Sequence, residues 1–122
     1  MAIKQLDNTG QDIFMQRYAY PGETKYSERC KAMAKHIASV EGDEEIEKYE
    51  KKFYDALSTG DLVPGGRIIY GAGRSQQNLL NCYAIEPEDS VESIGKTIQD
   101  MYRISCGGGG IGFNFSKIRP KG

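Results

Sequence analysis

The sequence predicts an α/β protein in two parts, a helical region over residues 1–62 and a strand–helix–strand unit within residues 63–122. Three observations predict it. Apolar residues recur at helical spacing in two successive stretches of the first half. Pro64-Gly65-Gly66 then breaks the helical periodicity. Near the end, Ile111, Phe113 and Phe115 alternate with Gly112, Asn114 and Ser116, the period of a half-buried strand, and they follow a third amphipathic helix.

Each element has its own warrant. Residues 1–22 are polar and mixed; Phe14, Met15, Tyr18 and Tyr20 suit a short helix or an extended arm, closed by Pro21-Gly22. Tyr26, Cys30, Met33, Ala34, Ile37 and Ala38 fall on one face of the next helix, with Thr24 or Ser27 to cap it and Gly42 to end it. Cys30 lies on that stripe and reads as a small core residue. Asp43, Glu44 and Glu45 open a second helix, whose apolar face is Ile46, Tyr49, Phe53 and Leu57. Gly60 suits a left-handed C-terminal cap. Arg67-Ile68-Ile69-Tyr70 reads as a short β-branched strand and Asn81 to Ile85 as another. Asp89 and Glu92 have capping-box spacing, with Ser90 as the alternative cap. The third helix is expected to bury Val91, Ile94, Ile98, Met101 and Tyr102. Strand, helix, strand is the order of a parallel crossover, and one such unit leaves its strand edges open to more chain or a partner.

Composition excludes several classes. A chain of 122 residues is within the range of one domain. Its net charge of −1 gives no basic excess for indiscriminate nucleic-acid binding. No apolar run approaches the ~18 residues of a membrane span. The N-terminus lacks a secretion signature, so the expected location is the cytoplasm. Three widely spaced cysteines there do not make a disulfide framework, and no Cys/His spacing supports zinc. No metal role is expected for His36.

The chemistry concentrates in the last third. Gly107 to Gly110 cost backbone entropy and suit close approach to phosphate, sugar or another chain, or a tight helix-to-strand turn. Gly107, Gly109 and Gly112 satisfy G-x-G-x-x-G in form only, because here a helix precedes the glycines and a strand follows. Cys82 is either a packing residue or a thiol needing access and a route to thiolate. Cys106 beside the glycines is a second candidate thiol. Lys117, Arg119 and Lys121 form a small cationic cluster fitted to a few phosphates. Asp89 is a helix cap or an acceptor for a ribose.

These pieces, in order, resemble a known family. Pro64-Gly65-Gly66-Arg67-Ile68-Ile69, Gly71-Ala72-Gly73, Asn81-Cys82-Tyr83, Asp89-Ser90-Val91-Glu92-Ser93-Ile94, Gly108 to Asn114 and Ile118-Arg119-Pro120-Lys121-Gly122 together resemble the N-terminal part of the large catalytic chain of ribonucleotide reductases. The Gly-Phe-Asn-Phe-Ser form is most similar to the adenosylcobalamin-dependent class II enzymes; the iron-dependent class I chains share the scaffold. The resemblance implies a helical region leading into the first βαβ part of a ten-stranded α/β barrel, incomplete in this chain. It implies radical replacement of the ribose 2′-hydroxyl by hydrogen.

By that resemblance Cys82 is the first reducing cysteine, beneath the 2′-carbon and ending in a disulfide. Asn81, Gly109 and Gly110 line the substrate. Asp89 and Arg119, assisted by Lys117, belong to the site of the nucleotide effector. The implied cofactor is adenosylcobalamin, bound mainly by other chain, or alternatively a diiron/radical subunit. The implied partners are a ribonucleotide, a deoxynucleotide or ATP effector, a second chain completing the barrel, a thioredoxin-type reductant and a second copy of the whole assembly. Neither a membrane nor nucleic acid is among them. The family's radical cysteine and second reducing cysteine lie beyond this stretch, so the chain alone is expected to be inactive. A split subunit, a truncation and a retained regulatory or structural fragment are the readings left open.

Overall fold

The computed structural model describes residues 3–75 and 78–121, and these form two compact units that divide between Leu79 and Leu80. No helix among the described residues is long and apolar enough to cross a membrane.

The first unit is helical. Helix α1, Asn8–Arg17, starts where the Asp7 carboxylate accepts the Gly10 N–H at 2.7 Å. It buries Phe14, whose ring meets Tyr26 edge-on at 5.8 Å. Helix α2, Tyr26–Ala38, takes neither expected cap. Lys25 stands at the N-cap, and the Glu28 carboxylate turns back to accept the N–H groups of Thr24 and Lys25 at 2.7 and 3.0 Å. Those bonds hold the Glu28 carboxyl below its usual range. The helix stops at Ala38, ahead of Gly42.

Helix α3, Ile46–Thr59, begins after Asp43 to Glu45, so these acids form the turn before it and Glu47 is the first-turn acid. Gly60 ends it at φ 80°, the left-handed cap its position predicts.

Residues 67–70 overturn an expectation. They lie in a short helix, α4, Gly66–Gly71, and not in a strand. Gly65 accepts the N–H groups of Ile68 and Ile69, and Ile68 accepts that of Ala72. The reason is tertiary. One helical turn lets Ile68 and Ile69 both pack against the buried cluster of Cys30, Met33, Ala34, Leu57 and Ala72. Strand geometry would send neighbouring side chains to opposite faces.

Arg29, 2% exposed, closes this core. It pairs with Glu23 at 3.5 Å and donates to the Ala72 carbonyl, which fixes the turn after α4. Burial lowers its pKa from the ordinary value, and the Glu23 carboxylate opposes that shift.

The second unit is the strand–helix–strand. Strand β1, Cys82–Ile85, and strand β2, Gly110–Phe113, pair in parallel with Cys82 opposite Gly110 and Ile85 opposite Phe113. Helix α5, Val91–Cys106, joins them. Its cap is Ser90, whose hydroxyl accepts the Ser93 N–H at 3.1 Å, rather than Asp89. The order helix, glycines, strand is the one that excludes a dinucleotide-binding turn.

The covered face of α5 differs from the expected one. Ser93, Thr97, Met101 and Ile104 are half-buried, whereas Val91, Ile94, Ile98 and Tyr102 stay exposed at 82%, 42%, 49% and 64%. The helix therefore has two apolar-bearing stripes, and a two-stranded sheet covers one. Of the expected set, only Met101 lies on the covered side.

Candidate functional site

The site is built on the parallel pair. Alternation along a strand sends successive side chains to opposite faces. Tyr83, Ile85 and Ile111 take the half-buried face. Cys82 and Ala84, with Gly110 and Gly112 opposite them, take the exposed one. The result is a nearly bare backbone platform that carries one thiol. Its only side chains are a methyl and the Cys82 thiol, so a flat or ring-shaped ligand meets little obstruction.

Cys82 and Gly110 are adjacent in fact. A Cβ at Gly110 would lie 3.7 Å from Cys82 Sγ and 3.5 Å from the Asn81 carbonyl oxygen. Asn81 holds the start of the ladder, its carbonyl accepting the Gly110 N–H at 2.7 Å. Gly109 is different. A Cβ there would meet Tyr83 Cε2 at 2.7 Å and Ile104 Cγ2 at 2.8 Å. Its missing side chain thus makes room for groups of this chain itself. Gly108, at φ +76°, supplies the left-handed turn from helix to strand.

The three thiols are unlike. Cys82 and Cys106 are exposed, and Cys30 is fully buried. Burial pushes the Cys30 thiol up to about 11, which leaves it inert at neutral pH.

The exit from β2 forms a second cluster. Lys117 pairs with Glu88 at 2.5 Å and Glu86 at 3.2 Å, and Arg119 Nε lies 3.3 Å from Asp89. The Asn114 amide donates to Glu86 at 2.7 Å. The structure thus brings Asp89, Arg119 and Lys117 into one cluster. It also places carboxylates on Lys117 and Arg119, which the sequence pattern had read as cations awaiting phosphate. Glu88 and Glu86 hold the Lys117 pKa above its ordinary value. Glu86 and Glu88 escaped sequence reasoning. Their only signal was the acidic run beside Pro87, which reads as a helix-start preference.

Comparison with known proteins covers both units. The family model described as "Ribonucleotide reductase, all-alpha domain" matches residues 4–77, and "Ribonucleotide reductase, barrel domain" matches residues 80–122. A vitamin B12-dependent ribonucleoside-diphosphate reductase of Thermoplasma acidophilum is 36% identical over 73 residues, 60% of this chain and 10% of its own length. A ribonucleoside-diphosphate reductase subunit alpha of Synechocystis is 30% identical over 116 residues, 95% of this chain and 15% of its own. A vitamin B12-dependent reductase of Mycobacterium tuberculosis is 28% identical over 75 residues, 62% of this chain and 11% of its own. The chain therefore spans between about a tenth and a seventh of the length of these relatives.

Proposed function

The chain belongs to the ribonucleotide reductase large-chain family, and from that premise we propose that it contributes one reducing thiol and part of an effector site to a larger ribonucleotide-reducing assembly. The observation that carries this is the placement of Cys82 on the open face of the β1–β2 pair, beside Gly110. A nucleotide laid on that face meets backbone and one thiol. Cys82 supplies an electron and a proton as the 2′-hydroxyl leaves as water. A second thiol from the remaining polypeptide supplies the others, and the two sulfurs end as a disulfide. Asn81 and Gly110 line the ribose, with Gly109 serving as backbone next to them.

The assembly is completed by more polypeptide. Both outer edges of the two-stranded sheet and the uncovered stripe on α5 support that reading. Radical generation by adenosylcobalamin is the finer proposal, supported by relatives named as B12-dependent. On this reading the cofactor is held mainly by the completing polypeptide, and this chain contributes the Cys82 platform. A thioredoxin-type reductant and pairing of two whole assemblies belong to the same proposal.

In the effector part, a deoxynucleotide or ATP phosphate takes over Arg119 and Lys117 from their carboxylate partners, and Asp89, released from Arg119, accepts from the effector's ribose. The alternative, a nucleotide-binding or structural fragment without catalysis, draws on the same cluster. One experiment separates them. The chain and its Cys82→Ser variant are each reconstituted with a polypeptide carrying the rest of the family's barrel, and multiple-turnover ribonucleotide reduction is measured. The expected result is assembly with both and turnover only with the native chain. Normal turnover by the serine variant would sink the proposal.

A further inference from the structure

We propose that Tyr83 is the positioning residue for the Cys82 thiol, acting through the seat that Gly109 leaves for its ring. Tyr83 follows Cys82 directly, so its side chain takes the opposite face of β1. There its ring occupies the space where any larger residue at position 109 would place a Cβ, 2.7 Å from Cε2 and 3.0 Å from Cδ2. Ile104, in the last turn of α5, bounds the same seat at 2.8 Å. The seat is itself anchored. The Gly109 N–H donates to the Ile104 carbonyl at 3.0 Å, and the next N–H, that of Gly110, donates to the Asn81 carbonyl at 2.7 Å.

The ring therefore locks β1 against the junction of α5 and β2. That lock decides register. A slip of one residue along a strand sends every side chain to the other face. Here it would turn the thiol from the open platform toward α5. A platform of Ala84, Gly110 and Gly112 has too little side chain to resist such a slip. Resistance must come from the other face, where Tyr83 fills the seat at Gly109 beside Ile85 and Ile111.

This gives the glycine run a division of labour. Gly108 turns the chain, Gly109 receives the ring, and Gly110 leaves the thiol side open. The inference matters because of the reading of Cys82 as the working thiol, but its test needs no turnover. Failure to reduce ribonucleotides would leave it standing.

The test uses the full chain and three variants, Tyr83→Ala, Tyr83→Phe and Gly109→Ala. Alkylation by iodoacetamide is followed at Cys82 and at Cys106 by peptide mass spectrometry, with amide exchange at Gly110 in parallel. Cys106, exposed like Cys82, is the internal reference for alkylation of an accessible thiol in the same unit. Tyr83→Ala and Gly109→Ala are each expected to speed Gly110 exchange about fivefold or more. The Cys82:Cys106 labelling ratio should fall by a similar factor, while the Cys106 rate holds. Tyr83→Phe should restore native behaviour, because it keeps the ring. The proposal is overturned if the two disruptive variants leave ratio and exchange unchanged. It is equally overturned if they raise both thiols together, or if Tyr83→Phe behaves like Tyr83→Ala.

Discussion

The two units treat their apolar residues in opposite ways. In the helical unit Cys30, Met33, Ala34, Leu57 and Ala72 are buried to 1% exposure or less, and Phe53, Tyr54, Ile68, Ile69 and Leu79 pack around them. In the strand unit no residue of α5 is buried, and Leu80, Val91, Tyr102 and Phe115 are at least 60% exposed. The first unit encloses a core within its own sequence, although Ile3, Val40 and Val63 stay at least half exposed. The second presents apolar surface, open strand edges and its exposed thiols together. The exposed thiols and the exposed apolar residues thus fall in the same unit, as the proposed enclosure by further polypeptide would require.

The sharpest way to break that comparison is to damage each side and compare costs. Leu57→Ala should destabilise the helical unit by about 2–5 kcal/mol, since the cavity forms among residues already fully packed. Chemical denaturation followed by circular dichroism checks it, and a cost below that of a surface change would mean the core is not closed.

A smaller effect is expected from alkali. Burial pushes Tyr26 up to about 12 and Cys30 up to about 11, from ordinary values of 10.0 and 9.0. The folded unit thus favours the protonated phenol and thiol. Below about pH 9 both folded and unfolded chains are protonated and stability is complete. As pH rises toward 12 the unfolded chain ionises first, so stability is lost across that window. Denaturation midpoints measured through the window should fall, and a flat profile would contradict the burial of this pair.

The smallest effect belongs to the open unit. Ile98→Ala should change the stability of the chain alone by no more than about 0.5 kcal/mol, because among the described residues none buries that side of α5 and Ile98 stays 49% exposed. The same change should weaken reconstitution with the completing polypeptide, read by co-elution. A large cost in the isolated chain, with no loss of reconstitution, would show that the stripe serves this chain alone.

Much of this was legible in sequence, for a physical reason that varies by element. Helices α2 and α3 announced themselves because their apolar residues repeat at helical spacing over more than ten positions. Gly60 was legible because few other residues accept a left-handed cap. Residues 67–70 misled because two adjacent isoleucines favour a strand locally, while the core offers both a place only on a helix. The stripe on α5 was visible, but spacing cannot say whether a partner surface exists in the same chain. The ion pairs of Lys117 and Arg119 were hidden because their carboxylates lie about thirty positions away in sequence.

By itself the sequence determined most of the elements, α4 excepted, together with their order and the family they serve, since periodicity, turn residues and ordered motifs are local properties. Only the tertiary structure decided which face of β1 carries the thiol into the open, which glycine is spent on Tyr83, and which cations are already paired. Those depend on strand register and on residues meeting across long loops. No local pattern encodes where two distant segments will touch.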